Sequence, residues 1–207
     1  MAMGRHKQGD CETNFTVRSL DADITLEEYN KLPRNPLFII LDNLRSAFNV
    51  GAIFRTCDAL RVSGLFLCGY TASPPHTKLV KTSLGTTGYV PWKHFHTAVD
   101  AVRHLRQQGI QVWAAETTSA SKSFMAVEYP SPLGIIFGNE ALGVSRDALE
   151  ISDALIEIPV FGFKNSINVA TSVGIIGFRA TESMGEKTEG VCMCKPLQKT
   201  GDKTKNS

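Results

Sequence analysis

The sequence predicts an α/β fold, a parallel sheet with helices on both faces, and three observations carry that prediction. Short apolar runs, LFIIL at residues 37–41 and LGIIF at residues 133–137, have the length and content of strands buried on both sides. They alternate with stretches in which apolar residues recur at helical spacing, such as Val50, Ile53, Phe54, Cys57 and Leu60. The connections between them are short, and strands that alternate with helices cross over right-handed and lay the helices against the sheet.

Residues 1–35 read as an N-terminal extension in which only Leu26, Tyr29 and Leu32 hint at a short helix before Pro33 and Pro36. The main domain is expected over residues 36–181 and opens with the strand at 37–41. The helix through Val50 is expected to close at Gly64, a residue tolerant of positive φ, and a strand follows at 65–68. After the Pro-rich loop TASPPHTK come a short strand near 89–92, a helix over 97–108 closed by Gly109, and a strand at 110–114. The strand at 133–137 leads to a short helix capped by Ser145 and running through Leu149. A strand with an alternating face at 154–160 and a last helix over 168–180 complete the pattern. Residues 182–207, ending QKTGDKTKNS, carry too little apolar surface to offset ordering entropy and are expected to form a disordered tail.

Composition bounds the class. The chain has 207 residues, 43% apolar and 20% charged, a length at which folding buries roughly 70% of the unfolded surface without help from disulfides or a structural metal. No run approaches the roughly 18 apolar residues of a membrane span, and the polar N-terminus has no signal-peptide core, so the expectation is a soluble cytoplasmic protein with no membrane partner. Cys11, Cys57, Cys68, Cys192 and Cys194 form no CxxC pair and no tetrahedral zinc spacing, which suits reduced thiols and no metal. His76, His94, His96 and His104 read as surface residues. Residues 43–106 carry eight Lys or Arg against only Asp58 and Asp100, whereas residues 107–180 carry four basic and seven acidic side chains. Such asymmetry fits a polyanion-facing surface, and equally a solvated face.

Ligands of parallel sheets sit outside the carboxyl ends of the strands, which directs attention to three loops. In Asn49-Val-Gly51-Ala-Ile-Phe-Arg55, Gly51 permits close backbone approach, and the N–H groups of a helix start favour an anion. Asn49 offers a cap or a hydrogen bond and Arg55 a planar fork for phosphate, although a capped helix with a surface arginine explains the same residues. In Gly138-Asn139-Glu140-Ala-Leu-Gly143-Val-Ser145 a carboxylate stands between two glycines, placed to cap a helix or to meet a ligand. The third loop, residues 158–170, leaves a strand at Pro159 and brings Ser166 and Asn168 to a helix start. Capping accounts for one of these two polar residues and leaves the other over. Ala170, Thr171, Ser172 and Gly174 would let that helix pack closely on another backbone, in the chain or in a partner. Neither GxGxxG nor a Walker A sequence is present.

In this order the segments NVGAIFR, IFGNEALGVS and EIPVFGFKNSINVA resemble the three motifs of the SpoU family, also called the TrmH family, of S-adenosylmethionine-dependent RNA ribose 2′-O-methyltransferases. The similarity covers about residues 37–180. It implies a Rossmann-like sheet whose C-terminal segment is threaded as a deep trefoil knot, and a homodimer. The methyl-donor pocket maps to Glu116, Thr117, Phe137 and Gly138 and to the stretch holding Ile158, Gly162, Ile167 and Asn168, with adenine expected among Gly138, Ile158 and Ile167. Ile167 stands where leucine is usual in the family.

By the same resemblance Arg55 is the central catalytic residue, supported by Asn49, Glu140, Ser166 and Asn168. Arg45, Arg55, Lys78 and Lys81 are expected to contact RNA, the two lysines from the loop after a strand. The absence of room for a separate recognition domain favours tRNA over rRNA. The alternatives are an rRNA-directed enzyme, a knotted module that binds RNA or donor without turnover, and an unrelated nucleotide-binding α/β enzyme.

Overall fold

The computed structural model describes residues 25–164 and 166–185, which fall into two units divided between Pro33 and Arg34. In the first, Thr25 and Glu28 cap helix α1 (Leu26–Lys31) reciprocally. The Glu28 N–H donates to Thr25 Oγ1 at 3.2 Å, and the Thr25 N–H donates to Glu28 Oε2 at 2.7 Å.

The second unit is a parallel sheet of strands β1 (Asn35–Asp42), β2 (Val62–Cys68), β3 (Trp92–Phe95), β4 (Gln111–Ala115), β5 (Lys122–Ser123), β6 (Leu133–Phe137) and β7 (Ala154–Glu157), in the order β3-β2-β1-β6-β4-β7-β5. Its helices are α2 (Ala47–Ala59), α3 (Thr77–Ser83), α4 (Ala98–Arg106), α5 (Arg146–Glu150) and α6 (Val169–Gly185). Strand β1 alternates between two cores. Leu37, Ile39 and Leu41 join Ile53 and Phe54 of α2 and Val173 and Ile176 of α6, while Ile40 joins Ala101, Val102 and Leu105 of α4. Cys57 and Cys68 are buried free thiols whose pKa burial pushes up, which removes them as nucleophiles at neutral pH.

The expected α/β class with a parallel sheet holds, with differences that have local causes. Helix α2 stops at Leu60, and Arg61 takes the positive φ of 47° expected of Gly64. Pairing of Asn35 with Val62 starts β2 early, and Gly64 lies inside that strand against the Phe38 ring. The segment expected as a loop around Lys78 and Lys81 is helix α3, whose buried residues are only Leu79 and Ser83. Strand β3 lies later than expected, because Tyr89 and Val90 close a 3-10 turn with the Thr86 carbonyl. The two-residue β5 carries no apolar signal. Strand β7 ends at Glu157 rather than at 160, where the chain leaves the sheet ahead of Pro159. The Ser145 side chain makes no cap bond; its N–H is instead held by Asp42 Oδ2 at 2.8 Å. Helix α6 continues past Ala180 to Gly185, burying Ser183 and Met184, so residues 182–185 belong to a helix rather than to the expected tail. The rest of that tail, with Cys192 and Cys194, and also Cys11, lies outside the described residues.

Candidate functional site

Strand register aligns Leu41 with Phe137, Phe137 with Ala115 and Ala115 with Ile156. The loops after β1, β6, β4 and β7 therefore leave the sheet along one edge, where chain order switches direction about β1. A cavity of about 620 Å³ lies there, lined by residues 115–117, 137–143, 156–158 and 166–169 with Val160, Ser172 and Ile176. It gathers Glu116, Thr117, Phe137, Gly138, Glu140, Ile158, Ser166, Ile167 and Asn168. It does not gather Gly162, which sits in an exposed stretch between Phe161 and Phe163, 98% and 101% exposed, with no atom of the described residues within 4 Å of the position a Cβ would take.

The α2 start is capped by Ser46, whose Oγ accepts the Asn49 N–H at 3.3 Å. Asn49 is thus not the cap, and its side chain is free to bridge. Its Nδ2 donates to Glu140 Oε1 at 2.8 Å, and its Oδ1 accepts from Asn168 Nδ2 at 3.1 Å. The Glu140 carboxylate also accepts the backbone N–H groups of Arg45, at 2.8 Å, and Ser46, at 3.1 Å. Gly51 serves helix packing rather than an anion: a Cβ there would strike Thr82 and lie 2.7 Å from the Leu79 carbonyl oxygen of α3.

Burial pushes the Glu140 carboxyl upward, but hydrogen bonds from the Arg45 N–H, the Asn49 amide, its own N–H and the Ser46 N–H outweigh it. The pKa is left below the ordinary glutamate value. Its stabilising effect is therefore complete above the unfolded pKa of about 4.3 and fades as pH falls through the lower folded value. Glu140→Gln is expected to unfold at lower denaturant than the wild type at pH 7, with the two midpoints converging below about pH 4. A gap that persists unchanged at pH 3 would show that the ionised form is not what the network needs.

At the third loop Asn168 caps α6, its Oδ1 accepting from the N–H groups of Ala170 at 2.8 Å and Thr171 at 3.3 Å. Ser166, exposed on the cavity wall, is the polar residue that capping leaves over. In the second loop the Asn139 and Gly143 backbones exchange hydrogen bonds of 2.9 Å each way. Gly138 stands so close that a Cβ would overlap the Gly143 and Val144 backbone. Glu116 braces this loop from β4: its Oε2 accepts the Val144 N–H at 2.8 Å, and Gly143, at φ +72°, leaves no room for a Cβ beside it.

Among known families, the SpoU rRNA Methylase family matches residues 36–178. The chain belongs to this family. The tRNA (guanosine(18)-2′-O)-methyltransferases of Thermus thermophilus and Aquifex aeolicus are each 32% identical to it, over 75% and 78% of this chain and 79% and 76% of theirs. The crystal structure of the A. aeolicus TrmH/SpoU tRNA modifying enzyme superposes with a TM-score of 0.70 at 30% identity, covering 78% of this chain and 82% of that one. The AdoMet-bound rRNA methyltransferase of Sinorhizobium meliloti gives 0.67 at 30% identity, over 74% and 59%.

The basic residues of this SpoU chain lie apart from the cavity wall. Arg55 is exposed six residues beyond Asn49, about 9 Å further along α2, and no ion pair among the described residues uses it. Arg45 is exposed just ahead of α2, and Lys78 and Lys81 are exposed one turn apart on α3, the helix that Gly51 seats against α2. Among the described residues, no group of three or more His, Cys, Asp and Glu side chains is placed to hold a metal. No helix among them is long and apolar enough to cross a membrane.

Two organising residues went unmarked in the sequence. Buried Asn139 donates through Nδ2 to the Asn43 carbonyl and the Tyr70 hydroxyl, 2.6 Å each, and its Oδ1 accepts the N–H groups of Ala141 and Leu142. Asp42, also buried, ties the end of β1 to the α5 start. An Asn directly after an apolar strand is a turn former, and that was the available signal for the first of them.

Proposed function

We propose that this SpoU methylase transfers a methyl group from S-adenosylmethionine to a ribose 2′-hydroxyl of tRNA. The observation that carries the reading is the Glu140–Asn49–Asn168 chain of hydrogen bonds, which joins three distant segments at the mouth of one cavity. The cavity suits the donor: its volume falls in the range of about 300–1,000 Å³ usual for small-molecule sites. Its walls set Phe137, Ile158 and Ile167 beside the polar backbone of residues 138–143. Adenine fits against Gly138, Ile158 and Ile167. When bound, S-adenosylmethionine supplies an electrophilic methyl on a sulfonium.

The chain's own task is alignment of nucleophile and donor. Asn49, Glu140 and Asn168 lock the α2 start to the α6 start, and Ser166 offers a free hydroxyl on the wall. Arg55 clamps the phosphate beside the target ribose. Its guanidinium carries N–H donors and no acceptor, so a phosphate oxygen or water takes the hydroxyl proton. Residues 36–181 form the catalytic domain of this proposal, and its site of action is the cytoplasm. The trefoil knot belongs to the same proposal. It is supported by the return of the chain from the β7–β5 edge, past the 115–117 and 137–143 loops, to an α6 that packs on α2 and β1. Homodimerisation is supported by exposed Phe178 and Ile175 on α6, exposed Phe48 on α2, and space around Gly174 that no described residue fills.

Incubation with S-adenosylmethionine and unmodified tRNA, followed by nucleoside mass spectrometry, is expected to yield a new 2′-O-methylated nucleoside. A mark found only on rRNA would move the substrate, and lack of donor binding would overturn the reading. Replacing Lys78 and Lys81 together by glutamine is expected to weaken tRNA binding at low salt. It should flatten the plot of log affinity against log salt by roughly 0.7–0.9 for each phosphate that the variant no longer neutralises. Donor affinity should not change. An unaltered salt slope would remove α3 from the RNA surface.

A further inference from the structure

We propose that Tyr70 is a stacking platform for a nucleobase of the bound RNA beside the methylated ribose, an inference that rests on the RNA-methylating reading above. Tyr70 follows β2, whose end pairs with the end of β1, so its turn stands beside the loop that leads into α2. That turn is tied down on all sides. The Tyr70 N–H donates to Asn43 Oδ1 at 3.3 Å, and Thr71 Oγ1 accepts the Leu44 N–H at 2.9 Å and donates to the Leu41 carbonyl at 3.3 Å. The Gly69 carbonyl is held to His94 Nε2 at 2.9 Å. Gly69 itself, at φ +62°, is pressed so close to Asn43 that a Cβ would strike its amide. The far end of Tyr70 is fixed as well: its hydroxyl accepts from Nδ2 of buried Asn139 at 2.6 Å, and Asn139 lines the cavity immediately before Glu140.

Between these two anchored ends the residue remains 60% exposed and joins none of the aromatic pairs among the described residues. Folding gains little from a ring left so open, whereas a flat surface that is already immobilised binds with little further loss of entropy. The site it borders handles a ribonucleotide, and the surface with α2 and α3 is basic, so the flat partner of matching chemistry is a nucleobase. Stacking of this kind is worth about 5- to 150-fold in affinity by alanine substitution.

The test is steady-state methylation of an unmodified tRNA transcript by the wild type, Tyr70→Ala, Tyr70→Phe and Tyr70→Trp, with the transcript's Kd measured separately without donor. Tyr70→Ala is expected to raise the RNA KM and Kd about tenfold relative to Tyr70→Phe, which loses the same hydrogen bond from Asn139, so that any fall in S-adenosylmethionine affinity or melting temperature from that loss is common to the two variants. Tyr70→Phe and Tyr70→Trp, which keep a ring, should stay within about threefold of the wild type. RNA affinity of Tyr70→Ala equal to that of the wild type overturns the proposal. So does a Tyr70→Phe defect as deep as that of Tyr70→Ala and accompanied by weaker donor binding, which would assign Tyr70 to bracing Asn139 through its hydroxyl. A wild type that binds the transcript but does not methylate it refutes the tRNA reading instead, and the Kd series then decides the role of Tyr70 on its own.

Discussion

Arg55→Ala is expected to lower methyl transfer about 10²- to 10³-fold while leaving the melting temperature and S-adenosylmethionine affinity at wild-type values. The side chain is exposed on α2, belongs to no ion pair among the described residues and does not line the cavity, so its removal strands no buried partner. Alanine is also the best helix former, and α2 runs on for a full turn beyond position 55. What the change removes is a planar fork able to grip two phosphate oxygens at once. Arg55→Lys keeps the charge and loses the fork, and should recover little. Single-turnover rates at saturating donor, with isothermal titration of S-adenosylmethionine, measure both halves of the expectation. Most of the turnover surviving in Arg55→Lys would refute the fork argument, and weakened donor binding in Arg55→Ala would assign the residue to the donor site.

The separation between what turnover needs and what folding needs runs through the molecule and explains which parts could be read from the sequence. Strand β6 was legible to the residue because all five of its positions are buried, so every side chain reports the same environment. Helix α4 was legible because it carries its own signals: a Thr97–Asp100 capping box, a stripe of Ala98, Ala101, Val102 and Leu105, and Gly109 at φ +75° beyond its end. Helix α3 has no such signals. It is seated by the bare backbone of Gly51 and by Leu79, a contact between segments that no local period encodes. The candidate site divides in the same way. Asn49, Glu140 and Asn168 stood out as polar residues in loops after strands. The bonds that join them span 91 and 119 positions and exist only once the register of β1, β6, β4 and β7 brings those loops to one edge. Glycine was the least legible residue of all. Gly51 looked like a place for an anion and holds a helix, while Gly162 looked like part of a donor pocket and faces solvent.

Gly138→Ala is expected to cost about 2–3 kcal/mol of stability, to lower the melting temperature by about 5–10 °C, and to weaken S-adenosylmethionine at least about tenfold. The added Cβ would overlap the Gly143 carbonyl carbon and the Val144 nitrogen, both backbone atoms that no rotamer change can move aside. Nor can the 139–143 loop swing away cheaply. Its own paired bonds between Asn139 and Gly143 close it, Asn139 ties it to Asn43 and Tyr70, and Glu116 holds the Val144 N–H from β4. Relief of the overlap must break one of these, and each lies on the wall against which adenine is expected. Gly162→Ala supplies the matched control, since no atom of the described residues lies within 4 Å of the Cβ it would add and its φ is not positive. That variant should melt with the wild type and bind the donor with wild-type affinity. Thermal denaturation with and without S-adenosylmethionine reads both variants together. A stable Gly138→Ala that binds the donor normally would mean that the loop yields as a unit, and the wall of the donor site would then have to be sought among Ile158, Ser166 and Ile167 alone.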